Sequence, residues 1–305
     1  MTQHVDELDR LPPGFRAERA PGLHFAVRVS AERALSAAGY GPRADGALTA
    51  SASVGRKPLH ELAQGDERFL VRRFSHGGLL RWLTGEVFRD PSRPFRELLL
   101  SERLRELGVR TPEVVAARAT RAGVGWRLDL VTRRVPDAVD LGHVLAAGRA
   151  GELARTNLRR LAEALGVLVG RLHAAGFVHA DLTPNNVLVN RAALAGAAPE
   201  LTVLDLDRSR FVDVLDDATR RDNLRRLLRF VERRERHGAL LACTDYARFF
   251  RGYDPDGARW KDDWRSIAAR HSERGVWHRA GWWLEERIAP RADPREGAGA
   301  GGRAV

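Results

Sequence analysis

The sequence predicts an α+β protein with two lobes, an antiparallel β-sheet followed by a mainly helical half. Short apolar runs separated by turn-forming residues occupy roughly the first half of the chain, which is typical of antiparallel strands. From about residue 140 the apolar residues recur instead at the three- and four-residue spacing of amphipathic helices. The length of 305 residues fits one large domain or two modest ones.

The sheet-forming lobe is predicted over residues 46–135, with one helix after its third strand. The helix is "RPFRELLLSERLRELG", and it ends at Gly108, a residue type common at helix C-termini. Residues 1–45 are punctuated by Pro and Gly and weakly patterned, so we expect an N-terminal extension there. The strand candidates are, in chain order, "ALTASAS", "PLHELAQ", "RFLVRRF", "EVVAARAT" and "GWRLDLVTR".

The helical lobe is predicted over residues 136–290. Between its helices lie a polar stretch, "HADLTPNNVLVN", and a strand, "LTVLDLD". Residues 291–305 are small and polar, which predicts a disordered tail. The helix candidates before and after these stretches are "LGHVLAA", "NLRRLAEALGVLVGRLHAAG" and "RDNLRRLLRFVERRERHG".

Composition narrows the classes of function. The net charge of +11 indicates an anionic partner, either nucleic acid, an acidic lipid surface or a phosphorylated ligand, although Arg spread along the whole chain also fits a solvated surface. The single cysteine excludes an internal disulfide framework and a cysteine-based zinc site. The polar N-terminus is unlike a signal peptide, and no apolar run approaches the roughly 18 residues that cross a bilayer. We therefore expect a cytoplasmic protein.

The polar stretch carries the residue types that phosphoryl transfer needs. Asp181 and Asn186 stand between a helix and an apolar strand, and a second strand ends on Asp205. One carboxylate in such a site positions the attacking hydroxyl or accepts its proton, while an amide and a second carboxylate bind Mg²⁺. We predict the first role for Asp181 and the metal role for Asn186 and Asp205. A capping carboxylate at Asp181 is the alternative.

Asp207 has two interpretations. Alternate residues of an extended strand point to the same side, so Asp207 either adds to the metal site of Asp205 or hydrogen-bonds the loop. Two neighbouring residues are assigned no chemistry: Asn185 is read as a turn former, and His179 as a structural residue hydrogen-bonded beneath the loop. His173, in the preceding helix, is read as packing.

The pattern H-x-D-x-x-x-x-N followed by D-x-D resembles the catalytic and metal-binding loops of the protein-kinase-like fold. That resemblance implies a bilobal fold with ATP and Mg²⁺ as cofactors. It also implies an ion pair between Arg72 on the third strand and Glu97 on the helix, with Arg73 and Glu102 as the competing residues. The phosphate-covering turn would contain Gly55, Arg56 and Lys57, and the adenine-binding hinge would lie near Thr132 to Val135.

Several residues differ from the protein-kinase pattern, and these differences indicate another group of kinases. Ala180 and Thr183 replace an Arg and a Lys of protein-kinase catalytic loops, and no A-P-E motif follows Asp205. Because Thr183 is uncharged, we hypothesise that Arg56 or Lys57 neutralises the negative charge of the transferring phosphoryl group. The paired glycines Gly77-Gly78 and the R-x-F-x-E, D-L-D and N-L-x-R-L patterns are similar to those of lipopolysaccharide kinases, particularly the Kdo and core-heptose kinases.

The family resemblance implies transfer of the ATP γ-phosphate to a Kdo or heptose hydroxyl of the lipid A inner core. The enzyme would work at the cytoplasmic face of the inner membrane, in peripheral contact with its anionic surface and without a nucleic-acid partner. Two alternatives stay open. One is a small-molecule kinase resembling aminoglycoside or choline phosphotransferases; the other is a non-catalytic, basic pseudokinase that binds membrane or nucleic acid.

Overall fold

The computed structural model describes residues 7–46, 48–50, 59–75, 86–234, 241, 243–257, 259–263 and 265. Met1–Gly257 form one compact unit, which carries both lobes, and Ala258–Val305 form a second. The compact unit thus ends before the predicted limit of the helical lobe at residue 290. The predicted phosphate-covering turn Gly55–Lys57, the paired glycines Gly77-Gly78 and the tail 291–305 lie outside the described residues.

A seven-stranded antiparallel sheet forms the small lobe, in the order β1-β2-β6-β7-β5-β4-β3. The predicted antiparallel sheet is confirmed. Its strands are β1 (Phe15–Ala20), β2 (Leu23–Arg28), β3 (Thr49–Ala50), β4 (Leu59–Gln64), β5 (Glu67–Arg73), β6 (Val114–Ala122) and β7 (Gly125–Arg133), and its helices are α1 (Val29–Ala37) and α2 (Arg93–Glu106).

The N-terminal segment belongs to this sheet, and the prediction of an extension over residues 1–45 is wrong. Strand β2 pairs with β6 and is buried along most of its length. Its alternate residues Leu23, Phe25 and Val27 pack in one core cluster with Leu35 of α1. This period-two alternation is a strand signal that the flanking Pro and Gly residues obscure.

Helix α2 packs on the sheet through one apolar face. Phe95 and Leu98 are fully buried against β6 and β7, and Glu97 and Ser101 share the buried side of the helix. The helix ends as predicted, because Gly108 adopts a left-handed φ of 73° just beyond it. Packing of this face holds Glu97 under the sheet.

The described part of the large lobe contains two small sheets and four helices. Its strands pair as β11-β10-β8 and β12-β9. Helices α4 (Arg155–Ala174) and α6 (Cys243–Tyr253) pack so closely that a side chain on Gly166 of α4 would meet the backbone of Phe249 of α6. The elements are β8 (Ala138–Asp140), α3 (Leu141–Arg149), α4 (Arg155–Ala174), β9 (Phe177–Val178), β10 (Val187–Asn190), β11 (Leu201–Val203), β12 (Arg210–Phe211), α5 (Asp217–Arg234) and α6 (Cys243–Tyr253). Within the described residues, no helix is both long enough and apolar enough to span a membrane.

Candidate active site

The hairpin of β10 and β11 brings two predicted metal-binding residues to one end. Val187 stands opposite Val203 in this antiparallel pair. One residue further, the backbone N–H of Leu204 donates to the carbonyl oxygen of Asn186 at 2.9 Å. Asp205 follows Leu204 directly, so the chain leaves the hairpin with Asp205 beside Asn186.

His179 connects the polar loop to the same hairpin through hydrogen bonds of its imidazole ring. Its Nε2–H donates to the carbonyl oxygen of Leu204 at 2.9 Å, and its Nδ1 accepts from the backbone N–H of Asp181 at 3.1 Å. This pattern requires a neutral ring, and burial of the ring lowers the pKa of His179 accordingly. The predicted structural role beneath the loop is confirmed.

Asp181 presents its carboxylate at the surface of the loop, where its side chain is 58% exposed. The side-chain amide of Asn186 donates to the backbone oxygen of Asp181 at 2.8 Å and to its Oδ2 at 3.2 Å. Asn185 beside it packs on α3, where the absence of a side chain at Gly142 leaves room for its amide. The loop therefore fixes the position of Asp181 without covering it.

The backbone at Asp205 is left-handed, with φ of 53°. Strand β11 ends at Val203, so the expected extended run through Asp205 and Asp207 is wrong. Aspartate tolerates the left-handed region better than most residues because its short polar side chain can bond locally. The two carboxylates consequently have different surroundings.

Arg72 of β5 joins the two lobes, because its guanidinium donates to both Glu97 and Asp205. The competing residues have other partners. Arg73 contacts Asp45 at 2.8 Å, and Glu102 contacts Arg28 at 2.6 Å. The predicted Arg72–Glu97 ion pair is therefore present.

Burial strongly shifts the pKa of Glu97, the acidic partner of Arg72 in the small lobe. Removal of water from its carboxyl group raises the pKa of Glu97 to about 7, although attraction to Arg72 opposes that rise. The negative charges of Asp205 and Asp207 raise it further. The charge of Glu97 therefore depends on whether those two carboxylates are neutralised by another cation.

Both carboxylate oxygens of Asp207 are bound by Arg93, the first residue of α2, with 2.7 Å between Nε and Oδ1. Burial opposes ionisation here, but the guanidinium still holds the pKa of Asp207 below its usual value. The structure thus favours the loop-holding interpretation, and we withdraw Asp207 as a metal ligand. Sequence reasoning missed Arg93 as its partner, although Arg93 opens the R-x-F-x-E pattern.

A second missed residue is Asn223 of α5. Its Nδ2 donates to the carbonyl oxygen of His179 at 2.6 Å, and its Oδ1 accepts from Nε2–H of His173 at 3.1 Å. His173 also accepts from the hydroxyl of Tyr253 at 2.9 Å. His173 therefore does more than pack: it links α4, α5 and α6 to the loop through buried hydrogen bonds.

We expect Asn223→Ala to lower the free energy of unfolding by about 2 kcal/mol, because it leaves two buried polar groups without their partner. Denaturant unfolding followed by circular dichroism measures this loss. Asp222→Ala on the same helix is the control, since Asp222 is exposed and pairs with Arg225 on that helix. Equal stability of the two variants would contradict the structural role of Asn223.

Residues 56–253 match the sequence model of the lipopolysaccharide kinase (Kdo/WaaP) family. The chain belongs to this family. That membership makes it a kinase of lipopolysaccharide biosynthesis.

Curated relatives agree with the assignment, and a solved structure agrees with the fold. The chain is 29% identical over 189 residues to a 3-deoxy-D-manno-octulosonic acid kinase of Vibrio vulnificus (strain YJ016), covering 60% of this chain and 74% of the relative. It is 29% identical over 228 residues to the kinase of the same name from Xanthomonas euvesicatoria pv. vesicatoria (strain 85-10), covering 70% and 85%.

The solved structure is WaaP in complex with acyl carrier protein. It matches with a TM-score of 0.52 at 21% identity, over 75% of this chain and 88% of that one. At this identity the match speaks for the fold alone, and it confirms the predicted protein-kinase-like fold.

The oxygen ligands at the site suit Mg²⁺. Asn186 and Asp205 offer an amide and a carboxylate, the hard donors that this ion prefers. The part of the chain that the structure describes contains no group of three or more His, Cys, Asp or Glu that could hold a metal. A site with two protein ligands fits an ion that keeps water and binds nucleotide phosphates.

Proposed function

We propose that this chain transfers the γ-phosphate of ATP, with Mg²⁺, to a hydroxyl of a Kdo or heptose sugar in the lipopolysaccharide inner core. The observation that carries the proposal is the convergence of Asp181, Asn186 and Asp205 at the end of one hairpin, with Arg72 reaching the same point from the small lobe. The names of the curated relatives favour Kdo as the acceptor.

Each residue has a proposed role. Asp181 accepts a hydrogen bond from the acceptor hydroxyl and orients it for attack, while Asn186 and Asp205 hold Mg²⁺, which neutralises the nucleotide phosphates. Arg72, fixed by Glu97, supplies a guanidinium to the phosphates. This distribution of charge is what phosphoryl transfer requires, because its catalysis depends on positioning and electrostatic stabilisation.

The remaining nucleotide contacts are proposed from the sequence. Gly55, Arg56 and Lys57 would cover the phosphates, and Arg56 or Lys57 would add positive charge. The hinge near Thr132 to Val135 would bind adenine through its backbone. In the structure β7 ends at Arg133 and β8 begins at Ala138, which is compatible with a connection between the lobes there.

The site of action is also part of the proposal. A glycolipid acceptor requires the enzyme to reach a membrane surface, and the net charge of +11 supports peripheral binding to the anionic cytoplasmic face of the inner membrane. We propose no nucleic-acid partner.

A single assay tests the proposed reaction. Labelled ATP and Mg²⁺ are supplied with lipid A carrying Kdo alone or Kdo plus heptose, and mass spectrometry locates the phosphate. Phosphorylation of either glycolipid is the expected result. Failure to bind Mg·ATP at millimolar nucleotide would favour the pseudokinase, and phosphorylation only of an aminoglycoside or choline would favour the small-molecule kinase.

Metal dependence gives a separate prediction. EDTA should abolish activity, and Asp205→Asn should raise the Mg²⁺ concentration for half-maximal rate at least about tenfold, since a ligand loses its charge. Asp256→Asn, at an exposed residue outside the site, is the control. An unchanged Mg²⁺ requirement in Asp205→Asn would remove Asp205 from the metal site.

A further inference from the structure

The carboxylate of Asp181 has a second neighbour, and the role proposed for Asp181 does not involve that neighbour. Nη1 of Arg226, on α5, lies 3.4 Å from Oδ1 of Asp181. Asn186 occupies the other oxygen, with Nδ2 3.2 Å from Oδ2. The two oxygens of Asp181 therefore face different surroundings, one towards the proposed metal-binding residues and the other towards Arg226.

The contact between Arg226 and Asp181 is weak. Both side chains are more than half exposed, at 51% and 58%, and exposed pairs at this separation contribute little because water screens them. Helix α5 instead places Arg226 by burying Leu224, Leu227 and Leu228 on its opposite face. A guanidinium has five N–H donors, and this contact uses one of them.

Other arginines of the helix are engaged differently. Arg220 is buried and contacts Asp217 at 2.8 Å, and Arg225 is only 12% exposed and pairs with Asp222. Both have a partner one turn away on their own helix. Arg226 instead extends to the loop that orients the acceptor hydroxyl. Of these three arginines it is therefore the best placed to bind a ligand.

The position of Arg226 indicates whether it contacts the nucleotide or the acceptor. Nucleotide phosphates belong on the side of Asn186 and Asp205, where the oxygen donors for Mg²⁺ stand. Arg226 contacts the oxygen of Asp181 that Asn186 does not contact, and we therefore assign a group bound by Arg226 to the acceptor and not to the nucleotide. A guanidinium binds a carboxylate through two parallel hydrogen bonds, which fixes orientation as well as charge.

We propose that Arg226 binds the carboxylate of a sugar-acid acceptor and so sets a ring hydroxyl against Asp181. The inference rests on the proposed function and adds a residue that holds the acceptor. The curated relatives are named as kinases of an octulosonic acid, a sugar that carries such a carboxylate. Neutral heptose lacks the group that Arg226 would bind.

A competing role for Arg226 is neutralisation of the transferring phosphoryl group, in place of the lysine that Thr183 replaces. The two roles predict different patterns. A residue that binds the acceptor carboxylate matters only when that carboxylate is present. A residue that stabilises the phosphoryl group matters for every acceptor, including water.

The test uses a short Kdo glycoside, its neutral methyl ester, and the slow hydrolysis of Mg·ATP without acceptor. Arg226→Gln should lower kcat/KM for the acid roughly 10- to 100-fold, mainly through KM, and should leave the ester and the hydrolysis rate unchanged. Arg226→Lys should recover part of the loss. Arg229→Gln, at an exposed arginine of the same helix, should change none of the three rates.

Two results for Arg226→Gln would overturn the inference: equal losses on acid, ester and water, or no loss on the acid. Thermal unfolding of each variant separates loss of fold from loss of binding. Wild-type protein that phosphorylates a heptose acceptor but not the Kdo glycoside would overturn the role of Arg226 and leave the proposed function standing. Wild-type protein that phosphorylates neither sugar would overturn both.

Discussion

Asp181→Asn is expected to reduce the rate of phosphotransfer about 10²- to 10⁴-fold, the usual contribution of a positioned acid or base, while the protein stays folded. An amide keeps the shape of the carboxylate but loses its charge and its ability to take the proton of the acceptor hydroxyl. The side chain is 58% exposed, so its replacement disturbs little packing. Asn186 would still donate to the backbone oxygen of residue 181, which preserves the loop.

The measurement is the single-turnover rate at saturating Mg·ATP and acceptor, which separates chemistry from product release. Asp213→Asn changes an exposed aspartate outside the site and should keep the wild-type rate. Mg·ATP affinity should change little in Asp181→Asn, because Asp181 is not a proposed metal ligand. A wild-type rate for Asp181→Asn on every acceptor would remove Asp181 from the mechanism.

Local patterns in the sequence account for much of this fold. The strands "EVVAARAT" and "GWRLDLVTR" and the helix closed by Gly108 are visible because each signal lies within a few neighbouring residues. The spacing between Asp181 and Asn186 is equally local, since both lie on one loop. Strands β1 and β2 escaped prediction although β2 alternates correctly, because Pro and Gly on either side favoured a loop.

Most long-range ionic and polar contacts could not be predicted; the Arg72–Glu97 pair is an exception, because the family resemblance implies it. Arg93 and Asp207 are 114 residues apart, and Arg226 and Asp181 are 45 apart. With 51 basic and 40 acidic residues, the chain offers far too many possible ion pairs for sequence alone to select these. Asn223 begins the N-L-x-R-L pattern, but that pattern does not say which buried groups its amide contacts.

Glu97→Gln is expected to lower kcat/KM for Mg·ATP on the order of 10²-fold at pH 8 and to remove a pH dependence that the wild type shows. Glu97 is ionised above its pKa of about 7 and holds Arg72 by charge. As the pH falls through 7, Glu97 takes up a proton, and Arg72 is left with Asp205 as its charged partner. Wild-type kcat/KM should therefore fall below pH 7.

Neutralisation of Asp205 should shift this transition. Part of the rise in the pKa of Glu97 comes from the charges of Asp205 and Asp207. A cation bound at Asp205 would offset its negative charge and lower the pKa of Glu97. Asp205→Asn, which removes that charge, should accordingly move the inflection of the kcat/KM profile to a lower pH.

Stability should depend on pH in the opposite direction. The pKa of Glu97 rises from 4.5 to about 7 on folding, so the folded protein binds the extra proton between these values. The free energy of unfolding contributed by this group therefore decreases as the pH rises from 4.5 to 7, the range in which activity increases. Glu97→Gln should remove both trends, and Glu106→Gln, at an exposed position of α2, should remove neither.

Opposite trends in activity and stability distinguish a functional ion pair from a structural one. If Glu97 served only to hold α2 on the sheet, activity and the free energy of unfolding would change in the same direction with pH. A wild-type protein whose kcat/KM stays constant from pH 6 to 8, or a Glu97→Gln variant that keeps the inflection, would contradict the assignment. Positioning of Arg72 by Glu97 requires that activity fall as the buried carboxyl group becomes neutral, even though the fold gains stability from the same proton.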